Sequence, residues 1–211
     1  MKLPILLLVC AMIGTAGAQT MTQSSAVDVR QAGEVAGKSL STLSQLVTEQ
    51  NFRAMGFESA KEAAGASLGT PLPVYMVQLD ELRQYAGGDP APLLKPLSQV
   101  LFPVVAGGAT RSGITVENTG KGWQATGFGS PSLSRALAQG VQASGAGNAF
   151  AVHVAALRTY FIGFRDGGGN LMFAPIRDEP ELQLRAGVAI PASQALLALK
   201  PAALQYNELP L

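Results

Sequence analysis

One serine lies in a pattern that serine hydrolases use for their nucleophile. Residues 65–69 read GASLG, which fits G-x-S-x-G, the turn that exposes a reactive serine between a strand and a following helix. Around Ser67 the order is reversed, because a helix is predicted before it and a Pro-containing strand after it, so that Ser67 falls in the last helical turn. His153, the single histidine of the chain, is the only available base and lies in an alternating strand pattern. A serine hydrolase therefore remains an alternative, and the chain is predicted not to be an enzyme.

Two glycine-containing segments imitate ligand-binding loops but lack essential residues. Residues 36–39 read AGKS, like the end of a phosphate-binding loop, but Ala32 stands where that loop needs its first glycine. Residues 166–170 read DGGGN, like the start of a calcium loop, but Arg177 takes the place of the closing acid. A helical stretch and a hairpin turn are the respective interpretations. Neither a metal site nor a cofactor is predicted.

Two arginines and two tyrosines recur at matched places in a repeated pattern. Residues 77–85 read VQLDELRQY and residues 152–160 read VHVAALRTY, and an apolar segment with a proline follows each copy. We interpret these segments as half-repeats over about residues 70–106 and 149–177 of an internal duplication. The alternative is chance similarity of two apolar strands, with both arginines exposed and their stems covering apolar neighbours. The ligand or partner groove predicted between the halves is lined by Tyr75, Arg83, Tyr85, Arg158 and Tyr160.

The N-terminus has the features of an export signal. Lys2 precedes an apolar run over residues 3–13, and small residues follow at the positions that a signal peptidase reads. Residues 1–18 are therefore predicted to be a cleaved signal peptide, and the periplasm is the predicted compartment. Cys10 raises the alternative of a lipid anchor, but Val9 is bulky where a small residue is needed. Because Cys10 leaves with the signal, the mature protein is predicted to have no thiol and no disulfide.

The charge balance bears on the class of partner. The chain has 15 basic and 14 acidic residues, and loss of Lys2 with the signal leaves 14 of each. A near-neutral chain lacks the basic surface that binds nucleic acid or anionic membranes. No apolar run beyond the signal reaches the length of a membrane span. The predicted partner is therefore an envelope protein, with a small-molecule ligand as the alternative.

Local patterns predict a single α+β domain over residues 27–211, preceded by a flexible segment at residues 19–26. Helical patterns cover residues 27–55 and 60–68, and further helices start at Pro131 and Pro191. Ser59 and Glu62 stand at capping-box spacing ahead of the second helix. Strands are predicted at residues 74–79, 100–105, 114–117, 123–128, 150–154, 160–164, 171–176 and 182–188. Hairpin signals between these strands predict a mainly antiparallel sheet, with N-terminal helices and helices packed on one face.

Three functions are compatible with these features. The first is a non-enzymatic periplasmic protein that binds another envelope protein, as an accessory, assembly or chaperone-like factor. It rests on the missing catalytic constellation, the near-neutral charge and a composition that is 47% hydrophobic. Its structural mark would be an exposed apolar groove. The second is a small-ligand binding module, whose mark would be a closed apolar pocket with convergent polar groups. The third is the serine hydrolase.

Overall fold

The structure is a computed structural model that describes residues 22–206. Within them the chain forms five α-helices, three short 3₁₀ turns and nine strands. The helices are α1 (Thr22–Leu46), α2 (Ala60–Ala64), α3 (Leu79–Gln84), α4 (Pro131–Ser144) and α5 (Ala192–Gln205). The strands are β1 (Ser67–Leu68), β2 (Leu72–Met76), β3 (Lys95–Ala106), β4 (Ala109–Asn118), β5 (Trp123–Phe128), β6 (Phe150–Val154), β7 (Thr159–Arg165), β8 (Leu171–Pro175) and β9 (Ile190–Pro191). The α+β class predicted from the sequence is confirmed.

All nine strands belong to one sheet. Eight of them follow the order β5-β4-β3-β2-β6-β7-β8-β9, and β1 pairs with β3 off this path. Neighbouring strands are antiparallel except for β2 and β6, which run parallel at the centre of the sheet. A parallel pair needs a long crossover connection, and here the segment between β2 and β6 contains three strands and the helices α3 and α4. The central pair therefore joins two parts of the protein that are distant in sequence.

The helices lie on both faces of the sheet instead of one. Side chains alternate between the faces along each strand, and we call the front face the one that carries Tyr75, Val100 and Val152. On this face α1 covers β3, β4 and β5, and α5 covers β8 and β9. The back face carries Val74 and Ala151 and is covered by α4, with which these two residues share a buried cluster. The sheet is therefore the middle layer of the molecule.

Several local predictions are confirmed. The β4–β5 hairpin forms, and Ser130 and Pro131 occupy the N-cap and first position of α4, although the Ser130 side chain makes no capping bond. The Ser59 hydroxyl accepts the amide of Glu62 at 3.2 Å, and the Glu62 carboxylate accepts the amide of Glu58 at 2.6 Å. The capping box thus reaches one residue further back than its usual geometry.

Two helices end at places other than those predicted. The helix expected over residues 60–68 stops at Ala64, because Gly65 follows it and the next residues pair with β3. Ser67 therefore lies in β1, and its prediction as a helical residue is wrong. The helix predicted to start at Pro191 runs through Pro201 to Gln205, although a proline commonly ends a helix. A proline removes only one backbone bond, and buried Leu199 and Ala203 hold both sides of it against the core.

The N- and C-terminal parts differ in other ways from their predicted patterns. Helix α1 ends at Leu46, before the predicted end at residue 55. It begins at Thr22, within the segment predicted to be flexible. Residues 1–21, which contain the predicted signal, lie outside the described residues. Residues 182–188 are described, and they do not form the predicted strand. Gln183 adopts a left-handed φ of 56°, which closes a tight turn there instead of an extended strand.

The two predicted half-repeats follow a similar path. In each, a central strand is followed by a helical turn and then by an antiparallel strand on its outer side. The aligned residues Val77 and Val152 are both buried, and they belong to one hydrophobic cluster. A duplication is compatible with this connectivity and stays a prediction.

Candidate functional site: an apolar groove on the front face

The middle of the front face is covered by neither α1 nor α5. A groove of about 910 Å³ lies there, and we call it the central groove. Its floor is formed by residues of the central strands β2, β3 and β6, namely Pro73, Tyr75, Val100 and Phe150. The groove exists because α1 and α5 each pack towards one end of the sheet and leave Tyr75 and Phe150 of the parallel pair partly exposed between them.

The central groove crosses the strands from one end of the sheet towards the other. Trp123 of β5 and Leu171 of β8 mark its two ends, and six strand spacings separate these strands. At about 4.8 Å per spacing the groove is about 29 Å long. An extended polypeptide advances about 3.3 Å per residue, so this length corresponds to about nine residues.

The floor is shaped by an aromatic pair over a glycine. The rings of Tyr75 and Phe150 meet edge to face, with centroids 4.9 Å apart. Phe150 also lies over Gly163 of β7, its partner in the β6–β7 register. A Cβ atom at Gly163 would come within 2.3 Å of the Phe150 ring. The glycine therefore creates the space in which the ring lies down and forms an apolar surface.

One wall of the groove contains the only tryptophan of the protein. Trp123 begins β5 and packs with Val29 of α1 against the cluster beneath that helix. Its indole Nε1 is buried, and no hydrogen-bond acceptor reaches it from the residues that the structure describes. A buried N–H without a partner costs stability, and because the Nε1 atom is closed off it is not exposed to the groove.

The opposite wall is a loop that its own hydrogen bonds hold in place. The Tyr85 hydroxyl donates to the carbonyl of Gly88 at 2.8 Å, and the Asp89 carboxylate accepts the amide of Ala91 at 3.0 Å. Lys200 of α5 donates to the Tyr85 carbonyl at 2.6 Å. Burial, and secondarily the charge of Asp89, raise the pKa of Tyr85 above its ordinary 10.0. The Tyr85 side chain thus supports the wall from within the core.

Arg83, one of the predicted groove residues, binds the end of α5. Its Nε donates to the carbonyl of Ala203 at 3.0 Å, and a terminal nitrogen donates to that of Tyr206 at 2.6 Å. The other terminal nitrogen pairs with Asp80 at 2.9 Å. Arg83 therefore satisfies carbonyls that the last helical turn leaves free, and it complements the negative end of the helix dipole.

Arg158 and Tyr160 lie apart from the central groove. Arg158 is exposed and has a left-handed φ of 51° at the turn between β6 and β7. Tyr160 points to the back face and stacks on His153, with ring centroids 4.0 Å apart. Burial lowers the pKa of His153. Burial also raises the pKa of Tyr160, and the positive charge of Arg177 offsets part of this increase. Of the five residues predicted together, only Tyr75 lines the central groove.

Ser67 and His153 lie in different parts of the sheet. Ser67 pairs with Val105 near one end of β3, whereas His153 pairs with Met76, which faces Lys95 at the other end. Ten residues of strand and one strand spacing separate Ser67 from His153, because β1 lies on the same side of β3 as β2. The two residues are therefore about 30 Å apart. At this distance the serine and the histidine share no hydrogen bond.

The glycine-rich turn between β7 and β8 uses its acid for its own backbone. Asp166 accepts the amides of Gly168 and Asn170, each at 2.9 Å. Hydrogen bonds from the Asn170 side chain, and then from these amides, hold the pKa of Asp166 below its ordinary 3.8. Between Thr22 and Tyr206 no three histidine, cysteine or acidic side chains come close enough to hold a metal ion. The hairpin-turn interpretation of residues 166–170 is confirmed.

Sequence reasoning does not assign Trp123 or Phe150 to a binding surface. Trp123 packs on the core while also forming a wall of the groove. A signal for Phe150 is present, because Gly163 interrupts an apolar strand pattern and such a glycine often marks the close approach of another group.

No helix between Thr22 and Tyr206 is long and apolar enough to span a bilayer.

Comparisons with models of protein families, with curated proteins and with solved structures find no match to this protein. The proposals below therefore rest on the geometry of the central groove and on the charges around it.

Proposed function

We propose that this protein is an exported, non-enzymatic accessory or chaperone-like factor that binds another protein of the cell envelope. The observation that supports it is the central groove, an open apolar surface on the face of a sheet. Most of its lining is aliphatic, aromatic or proline, and its floor carries the Tyr75–Phe150 pair. Contiguous exposed apolar surface of this kind usually marks an interaction site in a soluble protein.

The shape of the groove favours an extended polypeptide segment. A channel about 29 Å long and open along one side accepts about nine extended residues, and it lets the partner polypeptide continue at both ends. Rigid aromatic side chains give a large contact area at a small cost in conformational entropy. Such a groove binds apolar segments through shape and hydrophobic contact, as an assembly factor or holdase requires.

The lone tryptophan provides a direct test. Because Trp123 lines the groove and is the only tryptophan, its emission reports occupancy of this site alone. Titration of the purified protein with nine-residue apolar peptides that lack tryptophan should shift the emission to shorter wavelength and saturate. No saturable shift, together with no heat of binding by calorimetry, would contradict the proposal.

Two matched substitutions separate the groove from the rest of the surface. Ser98 is an exposed residue of the groove, so S98E places a charge in it without removing core contacts and should weaken peptide binding about tenfold or more. S132E is the control, because Ser132 is exposed on α4 behind the sheet. L204E tests whether peptides bind non-specifically to exposed apolar side chains, since Leu204 is 60% exposed on α5 and lies outside the groove. Equal losses in S98E and either control would contradict the assignment of the groove.

The second candidate function is a small-ligand binding module. A volume of about 910 Å³ lies within the range of roughly 300–1,000 Å³ that small-ligand sites occupy. Native mass spectrometry of the protein as purified should then show a retained molecule that S98E loses. A fatty acid or similar ligand that outcompetes every peptide would favour this function over the first.

A further inference from the structure

Two charged residues line the central groove, Asp89 and Arg165. The Asp89 carboxylate accepts the amide of Ala91 and belongs to the wall. Arg165 ends β7 and is exposed, and one of its terminal nitrogens donates to the carbonyl of Gly169 at 2.8 Å. No carboxylate among the described residues lies within ion-pair distance of Arg165, since Asp166 beside it is bonded within its own turn. Its guanidinium therefore offers unused donors at one end of the groove.

The other end of the groove, at Trp123, offers no exposed donor. The buried Nε1 of Trp123 has no acceptor among residues 22–206. Five strand spacings separate β5 from β7, so Trp123 and Arg165 are about 24 Å apart, the length of about seven extended residues. The occupant should therefore present apolar groups towards Trp123 and an anionic group at Arg165.

We propose that the central groove binds an extended apolar segment of a partner protein that carries an acidic side chain at the end beside Arg165. This inference rests on the proposed function and adds a charge preference to it. A Glu or Asp side chain of the segment pairs with the Arg165 guanidinium. Arginine suits this role because its planar fork binds a carboxylate through two donors.

The test uses the full-length protein, purified as the expressing cell processes it, and four nine-residue Leu/Thr peptides. All peptides are acetylated, and they differ only at one end. Three have an amidated C-terminus and carry Glu, Gln or Lys at the last position, and the fourth carries Gln with a free carboxylate. The same series with the variable residue at the first position establishes the direction of binding. Trp123 emission gives each dissociation constant at low and at physiological salt.

The Glu peptide should bind about three to ten times more tightly than the Gln peptide, and the Lys peptide should bind most weakly. R165Q should remove the difference in affinity between the Glu and Gln peptides. R135Q is the matched control, because it changes net charge equally on α4 behind the sheet, and it should keep the preference. Higher salt should reduce the preference in the wild type.

The outcomes distinguish this inference from the proposed function. Equal binding of Glu and Gln peptides would overturn the charge preference alone, and so would a preference that survives in R165Q. A free-carboxylate peptide that binds several times more tightly than the Glu peptide would assign Arg165 to the terminal carboxylate of a partner and also overturn it. Failure of all peptides to bind would overturn the proposed function itself.

Discussion

Gly163→Ala tests whether the floor of the central groove depends on a close contact. A Cβ atom at residue 163 would lie 2.3 Å from Cε2 and 2.6 Å from Cζ of Phe150. Since comfortable carbon contacts are about 3.5–4.0 Å, the ring edge must move by more than about 1 Å. The Tyr75 ring, whose centroid is 4.9 Å from that of Phe150, opposes this movement.

The expected cost follows from these contacts. Overpacking of this kind costs about 1–3 kcal/mol. Replacing glycine in a strand offsets about 0.5–1 kcal/mol of this cost, because it reduces the conformational entropy of the unfolded chain. We expect a net loss of about 1–2 kcal/mol in the free energy of unfolding. For a domain of this size the Tm should fall by about 2–8 °C. The displaced ring should also enter the groove and weaken peptide binding.

Urea denaturation followed by Trp123 emission and by circular dichroism measures the stability, and peptide titration measures the groove. G167A is the matched control, because a Cβ at Gly167 meets nothing within 4 Å, and it should stay within about 0.5 kcal/mol of the wild type. Adding F150L should relieve most of the cost of G163A, with a coupling energy of about 1 kcal/mol. If G163A proves as harmless as G167A, or if F150L gives no relief, the close contact does not control the floor.

Three further predictions concern other parts of the molecule. G37A should raise the free energy of unfolding by about 0.5–1 kcal/mol in urea denaturation, because Gly37 lies exposed inside α1 with nothing within 4 Å of a new Cβ; a loss would contradict the helix there. R83M should lower the free energy of unfolding by about 1–2 kcal/mol, and Tm with it, because it loses the hydrogen bonds to the end of α5. It should also speed amide exchange in that last turn, and unchanged exchange would argue against this role. Burial lowers the pKa of His153 below its ordinary 6.5, so the unfolded state binds the proton more tightly, and stability should fall as pH drops through 6.5 towards the folded-state pKa. NMR titration of this single histidine measures its pKa in the folded protein, and a pKa at or above 6.5 would contradict the expected loss of stability at low pH. H153Q should show a smaller dependence of stability on pH.

Local sequence chemistry is sufficient for features that a few neighbouring residues decide. The capping bond between Ser59 and Glu62, the β4–β5 hairpin and the start of α4 at Pro131 all form as predicted. Each depends on backbone conformation and on hydrogen bonds within a short segment. The same reasoning predicts a helix at Ser67 and is wrong there, because the pairing that draws Ser67 into β1 comes from Val105, far along the sequence.

The predicted binding residues show the limit of local reasoning. Arg83 and Arg158 look equivalent in a repeated pattern, yet Arg83 binds the end of α5, 120 residues away, and Arg158 lies exposed at a turn. Trp123 gives no local signal of a binding surface, because its place in a wall depends on where α1 packs. A repeated pattern thus identifies similar segments but not the partners of their side chains.

Composition, hydrophobic period and turn chemistry are local properties, and they were enough to predict an α+β protein with a mainly antiparallel sheet, near-neutral charge and few groups suited to catalysis. The binding surface, in contrast, arises only in the folded molecule. The parallel pairing of β2 with β6 brings Tyr75 and Phe150 together across 75 positions of sequence. The separate packing of α1 and α5 leaves that pair partly exposed. A groove is the space that packed elements fail to fill, and this space depends on long-range contacts that no local pattern encodes.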